Sequence, residues 1–142
     1  MAYSITAQVY QTNTNAFFYL AEKGVLTSGN WSEYNGQQIL SMSGSGTSGC
    51  LRFASDTGEN FMVTLGVHNY LRWGDILTNL AHNQTCVGVN PEYYSNSYPA
   101  FDQAREAQCA YYSVDSLDGG RPIAFNYTVA TGNDLEVDII IG

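Results

Sequence analysis

Apolar and polar residues alternate along most of this chain, which is the pattern of strands that bury one face and expose the other. The first such run consists of Tyr3, Ile5, Ala7 and Val9. Runs with strand character follow at residues 17–25, 37–42, 50–54 and 61–67. The pattern therefore predicts a chain that is mainly β.

The alternation is cleanest near the end of the chain. A turn is predicted at Asp118, Gly119 and Gly120, where turn-forming residues cluster. Residues 123–129 and 135–141 then alternate on either side of a short polar stretch. Two alternating runs separated by a polar turn predict a C-terminal β-hairpin.

The hydrophobic period changes in two places. In residues 66–80, apolar side chains recur at the three-and-four spacing of a helix with one buried face, at Trp73, Ile76, Leu77 and Leu80. Residues 101–111 show a second helical pattern, with Asp102 as a cap or first-turn acid. Strands, two helices and further strands, in that order, predict a β-sandwich of two antiparallel sheets with a helix-loop-helix connection.

Length and charge narrow the classes of function. The 142 residues fit a single domain covering residues 1–142. The net charge of −8 repels phosphate backbones and anionic membranes, so we expect no nucleic-acid partner. Charged residues make up only 13% of the chain, and eleven tyrosines are present. Aromatic rings can stack on the C–H faces of sugars, so this composition favours neutral polar ligands.

The chain starts without a basic region followed by an apolar run, and no segment is long and apolar enough to span a membrane. We therefore expect a cytoplasmic protein. Cys50, Cys86 and Cys109 show neither metal-ligand nor redox spacing. They are predicted to be ordinary buried thiols, and no cofactor is expected.

The candidate chemistry lies in residues 66–80, where the period changes. His68, Asn69, Tyr70, Arg72 and Asp75 crowd together at a predicted strand-to-helix junction, a place where a rigid scaffold can fix side chains for binding. Structural alternatives remain open for two of these residues. His68 could be a hydrogen-bonded structural histidine, and Asp75 could cap its helix or form a salt bridge within it.

Catalysis is not indicated. The chain has only two histidines, and no serine or cysteine lies at a spacing that predicts a nucleophile with its base. The acids of the last strand, Asp134, Glu136 and Asp138, share one face and are more simply a solvated surface. The glycine-rich run at residues 42–49 lacks the Gly-Lys-Ser/Thr ending of a phosphate loop. We therefore predict that the protein is not an enzyme and holds no metal.

Several motifs together resemble the fungal fruit-body lectins, small cytoplasmic proteins that bind mucin-type glycans. They come in the family's order and cover nearly the whole chain. These motifs are VYQ at 9–11, MSGSGTSG at 42–49, GVHNYLRWGDILTNL at 66–80, NPEYY at 90–94, DQARE at 102–106 and IIIG at 139–142.

The resemblance implies a sandwich similar to that of the actinoporin toxins, a homotetramer and a role in defence. It also implies a primary site for galactose-β-1,3-GalNAc (the T-antigen) and terminal GalNAc, formed by Leu26, Ser45, Gly46, His68 and Asn69. At the position of Leu26 relatives carry alanine. Ser45 and Gly46 belong to this site only if their loop meets the one with His68, and they could instead form a plain turn.

A second site for terminal GlcNAc is implied at Asp75, Ile76, Thr78 and Tyr112. Relatives place an arginine just before the Asp-Gln-Ala-Arg run, where this chain has Phe101. A phenyl ring can stack on a sugar but cannot donate the hydrogen bonds of a guanidinium, so this substitution bears directly on the second site.

Two other classes of function stay open. The toxin-like fold raises the alternative of a membrane pore former. Such proteins insert an amphipathic N-terminal helix, whereas residues 3–10 have strand periodicity and the chain has few basic residues. A scaffold or storage protein without a ligand is the third possibility. We predict a glycan-binding lectin that does not insert into membranes.

Overall fold

The computed structural model describes residues 2–116 and 120–142. Of the turn predicted at Asp118, Gly119 and Gly120, residues 118 and 119 lie outside the described residues, whereas Gly120 is described and has φ +66°. The strands are β1 (Tyr3–Gln11), β2 (Phe18–Val25), β3 (Gly29–Tyr34), β4 (Gln37–Met42), β5 (Thr47–Ser55), β6 (Asn60–His68), β7 (Leu71–Thr78), β8 (Tyr111–Asp115), β9 (Pro122–Val129) and β10 (Asp134–Ile141).

Two sheets pack face to face, as predicted for a β-sandwich. The larger has the strand order β3-β4-β1-β10-β9-β8, and the smaller has the order β2-β5-β6-β7. The prediction of purely antiparallel sheets is wrong at one place, because β1 and β10 pair in parallel. These are the first and last strands, so the whole remaining chain serves as the long connection that a parallel pair requires.

The main core lies between the two sheets. It is built from inward-facing side chains of both, such as Ile5, Leu51, Leu65, Phe125 and Ile139, all of them almost completely buried. The first strand and the C-terminal hairpin of β9 and β10 are confirmed. The N-terminal segment is therefore a central strand and not an amphipathic helix.

A second, smaller core lies on the outer face of the four-stranded sheet. A helical connection covers this face and consists of α1 (Cys86–Val89), a 3-10 helix (Asn90–Tyr94) and α2 (Pro99–Ala107). Trp73 and Tyr93 are fully buried there. Because both faces of the sheet are covered, β5 and β6 are buried almost throughout. No helix among the described residues is long and apolar enough to cross a membrane.

The helix predicted after residue 73 is wrong. Residues 71–78 form β7, which returns antiparallel along β6. Trp73 packs in the outer core, while Ile76 packs between the sheets. A strand that buries both faces places apolar residues at mixed intervals, and here those intervals imitate helical spacing.

The second predicted helix is confirmed in part. Helix α2 ends at Ala107, and Gln108 adopts the left-handed conformation at φ +50°. The predicted helix extended to residue 111, where β8 begins instead. The helix-loop-helix connection therefore exists, but it lies wholly between β7 and β8.

Candidate functional site

The turn that joins β6 to β7 presents the first part of the site. His68 and Leu71 face each other across the two strands, so Asn69 and Tyr70 form a two-residue turn. Both have positive φ, +48° and +65°, as a type I′ turn requires. Asparagine tolerates this conformation, whereas tyrosine is strained in it. Tyr70 is nevertheless 74% exposed, so this strained position holds a large ring in solvent.

The glycine-rich loop before β5 meets this turn. Gly46 has φ +88° and donates its N–H to the carbonyl oxygen of Val67 at 2.8 Å. The backbone N–H of Tyr70 donates to the Ser45 Oγ at 3.0 Å. Two hydrogen bonds thus hold Ser45 and Gly46 against the His68–Asn69 segment.

A third loop reaches the same end of the sheet. The N–H of Leu26 donates to the carbonyl oxygen of Ser48 at 2.9 Å, and the Thr47 hydroxyl donates to the carbonyl oxygen of Thr27 at 2.7 Å. Leu26 is half-buried. Because its N–H is already bonded, only its side chain and carbonyl are free to contact a ligand. All five residues of the expected primary site therefore lie at one end of the four-stranded sheet.

The His68 ring is held from a distant part of the chain. Its Nε2 lies 2.9 Å from Glu106 Oε1 and 3.3 Å from Asn69 Nδ2. One ring nitrogen cannot both donate to the carboxylate and accept from the amide, and the shorter, charged contact favours donation to Glu106. The Asn69 amide is then free to donate to a ligand.

Glu106 is fixed in turn by Arg105, whose Nη2 donates to the same Oε1 at 3.0 Å. The hydrogen bond from Arg105 is the main reason that the pKa of Glu106 is lowered, with a smaller effect from His68. Gln108 adds a hydrogen bond from its Nε2 to the His68 carbonyl oxygen at 2.6 Å. Sequence reasoning missed the roles of Glu106 and Gln108, since both are some 40 residues from His68 and only the DQARE motif marked the region.

Asp75 is separate from this cluster. An extended strand advances about 3.3 Å per residue, so β7 carries Asp75 well away from the turn. It lines a cavity of about 390 Å³ between β7, α2 and β8. Ile76, Phe101 and Tyr112 also line it, whereas Thr78 is not among the described residues in its wall. The predicted cluster is therefore divided between the β6–β7 turn and this cavity.

Asp75 does not cap a helix, since it lies in a strand. Its Oδ2 accepts a hydrogen bond from the Tyr93 hydroxyl at 2.6 Å. Burial raises the pKa of Asp75, and the hydrogen bond from Tyr93 partly offsets that effect. Burial and the nearby Asp75 charge also raise the pKa of Tyr93. The phenol thus stays protonated and acts as a fixed donor.

Phe101 forms an apolar wall of this cavity. Its ring stacks on the Tyr93 ring with centroids 4.5 Å apart and an interplanar angle of 23°. Cys109 and the small side chains Ala100, Ala104 and Ala107 complete this side. The cavity therefore offers the Asp75 carboxyl, the Tyr112 phenol and the Gln103 amide in a mostly apolar surround. Among the described residues, no group of three or more His, Cys, Asp or Glu side chains could hold a metal ion.

Comparison with known proteins agrees with the overall fold. A sequence model described as "Fungal fruit body lectin" matches residues 1–139. The Boletus edulis lectin, from Boletus edulis, is 47% identical over 99% of both chains. The wild-type Xerocomus chrysenteron lectin is 47% identical, with a TM-score of 0.95 and full coverage of both chains. A form of that lectin with three substitutions is 48% identical, with the same TM-score, over 100% of this chain and 99% of its own. The chain belongs to the fungal fruit body lectin family and is a carbohydrate-binding protein.

Proposed function

We propose that the protein binds galactose-β-1,3-GalNAc, and glycans that end in GalNAc, at the junction of the Ser45–Gly46 loop with the His68–Asn69 segment. The observation that carries this proposal is the hydrogen bond between the Tyr70 N–H and the Ser45 Oγ, which holds the two loops together. Neutral sugars need convergent donors and acceptors of fixed orientation. Here the Asn69 amide donates, and Gly46 leaves the backbone open to close approach.

Binding proceeds without catalysis in this proposal. The Glu106 carboxylate, which contacts this junction, is engaged with both His68 and Arg105. A glycosidase needs two carboxyl groups that face each other across the scissile bond. Asp75 lies in the separate cavity beside α2. The junction therefore serves recognition.

A glycan array tests this proposal directly. We expect the parent protein to bind structures ending in galactose-β-1,3-GalNAc or GalNAc more strongly than otherwise matched structures ending in glucose or mannose. Free galactose-β-1,3-GalNAc added in solution should displace it, which separates specific binding from adsorption. Retention of no glycan, or equal retention of all of them, would contradict the proposal.

We also propose that the cavity beside α2 is a second, GlcNAc-type site that Phe101 weakens. Asp75 and Tyr112 supply an acceptor and a hydroxyl, and the stacked Phe101 supplies only an apolar surface. A sugar bound there would not receive the hydrogen bonds that a guanidinium at position 101 would donate. The expected affinity of this site for terminal GlcNAc is therefore low.

A symmetric homotetramer would strengthen either site. Single sites for neutral sugars are weak, and several sites joined in one particle raise the avidity for a glycan-coated surface by orders of magnitude. We expect light scattering to give a mass near four times 15.6 kDa. A mass of one chain at micromolar concentration would contradict the tetramer, and would leave the binding sites of each chain unaffected.

A further inference from the structure

Two cysteines meet in the outer core, where the glycan sites do not use them. Cys50 lies in β5, and Cys86 is the first residue of α1. Both side chains are fully buried, and their sulfur atoms are 2.7 Å apart. Cys109, the remaining cysteine, is only partly buried and lines the cavity beside α2. The prediction of buried thiols is therefore confirmed for Cys50 and Cys86 and is wrong for Cys109.

The contact depends on Gly24. Gly24 and Cys50 are directly opposite each other in the register of β2 and β5. A Cβ on Gly24 would lie 2.8 Å from the Cβ of Cys86, too close for any real side chain. The absence of that carbon lets α1 approach the sheet, so Cys86 can reach Cys50.

Glu22 fixes the start of α1 over this position. Its Oε1 accepts hydrogen bonds from the Cys86 backbone N–H and from Arg52 Nε, both at 2.9 Å. The Thr85 hydroxyl caps α1 by accepting from the Gly88 N–H at 3.1 Å. The two sulfur atoms are thus brought together by the register of β2 and β5, by the missing side chain of Gly24 and by the hydrogen bonds that fix the start of α1.

We propose that Cys50 and Cys86 form an intramolecular disulfide when the protein meets a small-molecule disulfide such as oxidised glutathione. The Cys86 thiolate attacks one sulfur of the oxidant and releases one molecule of reduced glutathione. The Cys50 thiolate then attacks Cys86 in the mixed disulfide and releases the second. Both protein thiol protons end on the two released thiols, so two protein thiols are oxidised while one oxidant disulfide is reduced.

The order of attack follows from the place of each cysteine in the fold, since Cys50 lies in a buried strand and Cys86 in a short helix at the surface. Burial and the adjacent Cys86 raise the pKa of Cys50, so the Cys50 thiol is unreactive while the core is closed. Helix α1 has four residues, and Val87 within it is 73% exposed. A helix of four residues with one face in solvent opens locally more readily than the buried strands below it. Cys86 therefore reacts first, in the open form, and closure of α1 brings it back to Cys50.

The cross-link would tie the helical connection to the sheet. The 3-10 helix that follows α1 carries Asn90, whose amide donates to the Ser48 carbonyl oxygen at 3.1 Å, and Tyr93, the partner of Asp75. Oxidation therefore stabilises the 3-10 helix, which holds Tyr93 against Asp75 beside the second cavity. A disulfide between Cys50 and Cys86 closes the loop between them and restricts the unfolded chain. We therefore expect the midpoint of thermal unfolding to rise by about 5 °C or more.

Mass spectrometry tests the proposal. A Cys109→Ser variant is incubated with oxidised glutathione, alkylated, digested without reduction and compared with a reduced sample. We expect a peptide pair linking Cys50 to Cys86, the loss of two alkylation sites, and faster formation at pH 8.5 than at pH 7. Intact mass should show no glutathione retained on the folded product.

Two variants sharpen this test. Gly24→Ala should slow the cross-link at least about tenfold, because the added carbon displaces Cys86, and Cys86→Ser should abolish both the cross-link and the shift in thermal midpoint. Far-UV circular dichroism checks that each variant is folded. Stable glutathione adducts without the cross-link, or persistence of both free thiols after days of incubation, would overturn the proposal.

Discussion

Replacing Asn69 with aspartate is expected to lower the affinity for galactose-β-1,3-GalNAc by about 10- to 100-fold. The sugar oxygen that accepts from the Asn69 amide would be buried in the complex without a hydrogen bond, which costs about 1–3 kcal/mol. Aspartate tolerates the positive φ of this turn position, so the backbone is preserved. It has no N–H to donate, and it adds a negative charge beside Glu106. Calorimetric titration with the free disaccharide measures the effect without any contribution from avidity.

The chain offers a matched control for this substitution. Asn35 has φ +50° and lies with Gly36 in the two-residue turn between β3 and β4, in the other sheet. Asn35→Asp makes the same chemical change in the same kind of turn, and it should leave the affinity unchanged. If both variants lost affinity equally, the effect would come from charge or stability. If neither lost any, Asn69 would not be a ligand residue.

Replacing Phe101 with arginine is expected to raise the affinity for terminal GlcNAc by about tenfold or more. The side chain at this position lines the cavity with Asp75 and Tyr112, so a guanidinium placed there would add several fixed donors. Hydrogen bonds to a charged group contribute about 1.5–3 kcal/mol each. Titration with N,N′-diacetylchitobiose, which ends in GlcNAc, measures the gain.

Two further substitutions separate the possible causes. Phe101→Ala also removes the ring that stacks on Tyr93, without adding a donor, and it should produce no gain. Phe101→Lys adds the charge without the planar fork and should produce a smaller gain than arginine. A gain of equal size with alanine would show that Phe101 merely blocks the cavity. Strong GlcNAc binding by the parent protein in this cavity would show that the ring itself serves as a stacking platform.

Strands with one covered face were predictable because their side chains alternate between core and solvent. This holds for β1, β9 and β10, whose observed boundaries agree with the predicted runs to within two residues. It failed for β7, where the outer core covers the second face and places Trp73 and Ile76 in different layers. Periodicity reports how many faces are buried, and it cannot separate a doubly covered strand from a helix when the apolar run is short.

The sequence by itself determined the fold class and the family motifs. It also predicted two local pairs of a sugar site, Ser45–Gly46 and His68–Asn69. Only the tertiary structure decided that these pairs share one surface, that Glu106 holds His68, and that Asp75 belongs to a separate cavity. It also decided that Cys50 and Cys86 are in contact. The physical reason is that local patterns depend on neighbours in the chain, whereas these contacts join residues some 25 to 40 positions apart and depend on strand register and layer packing.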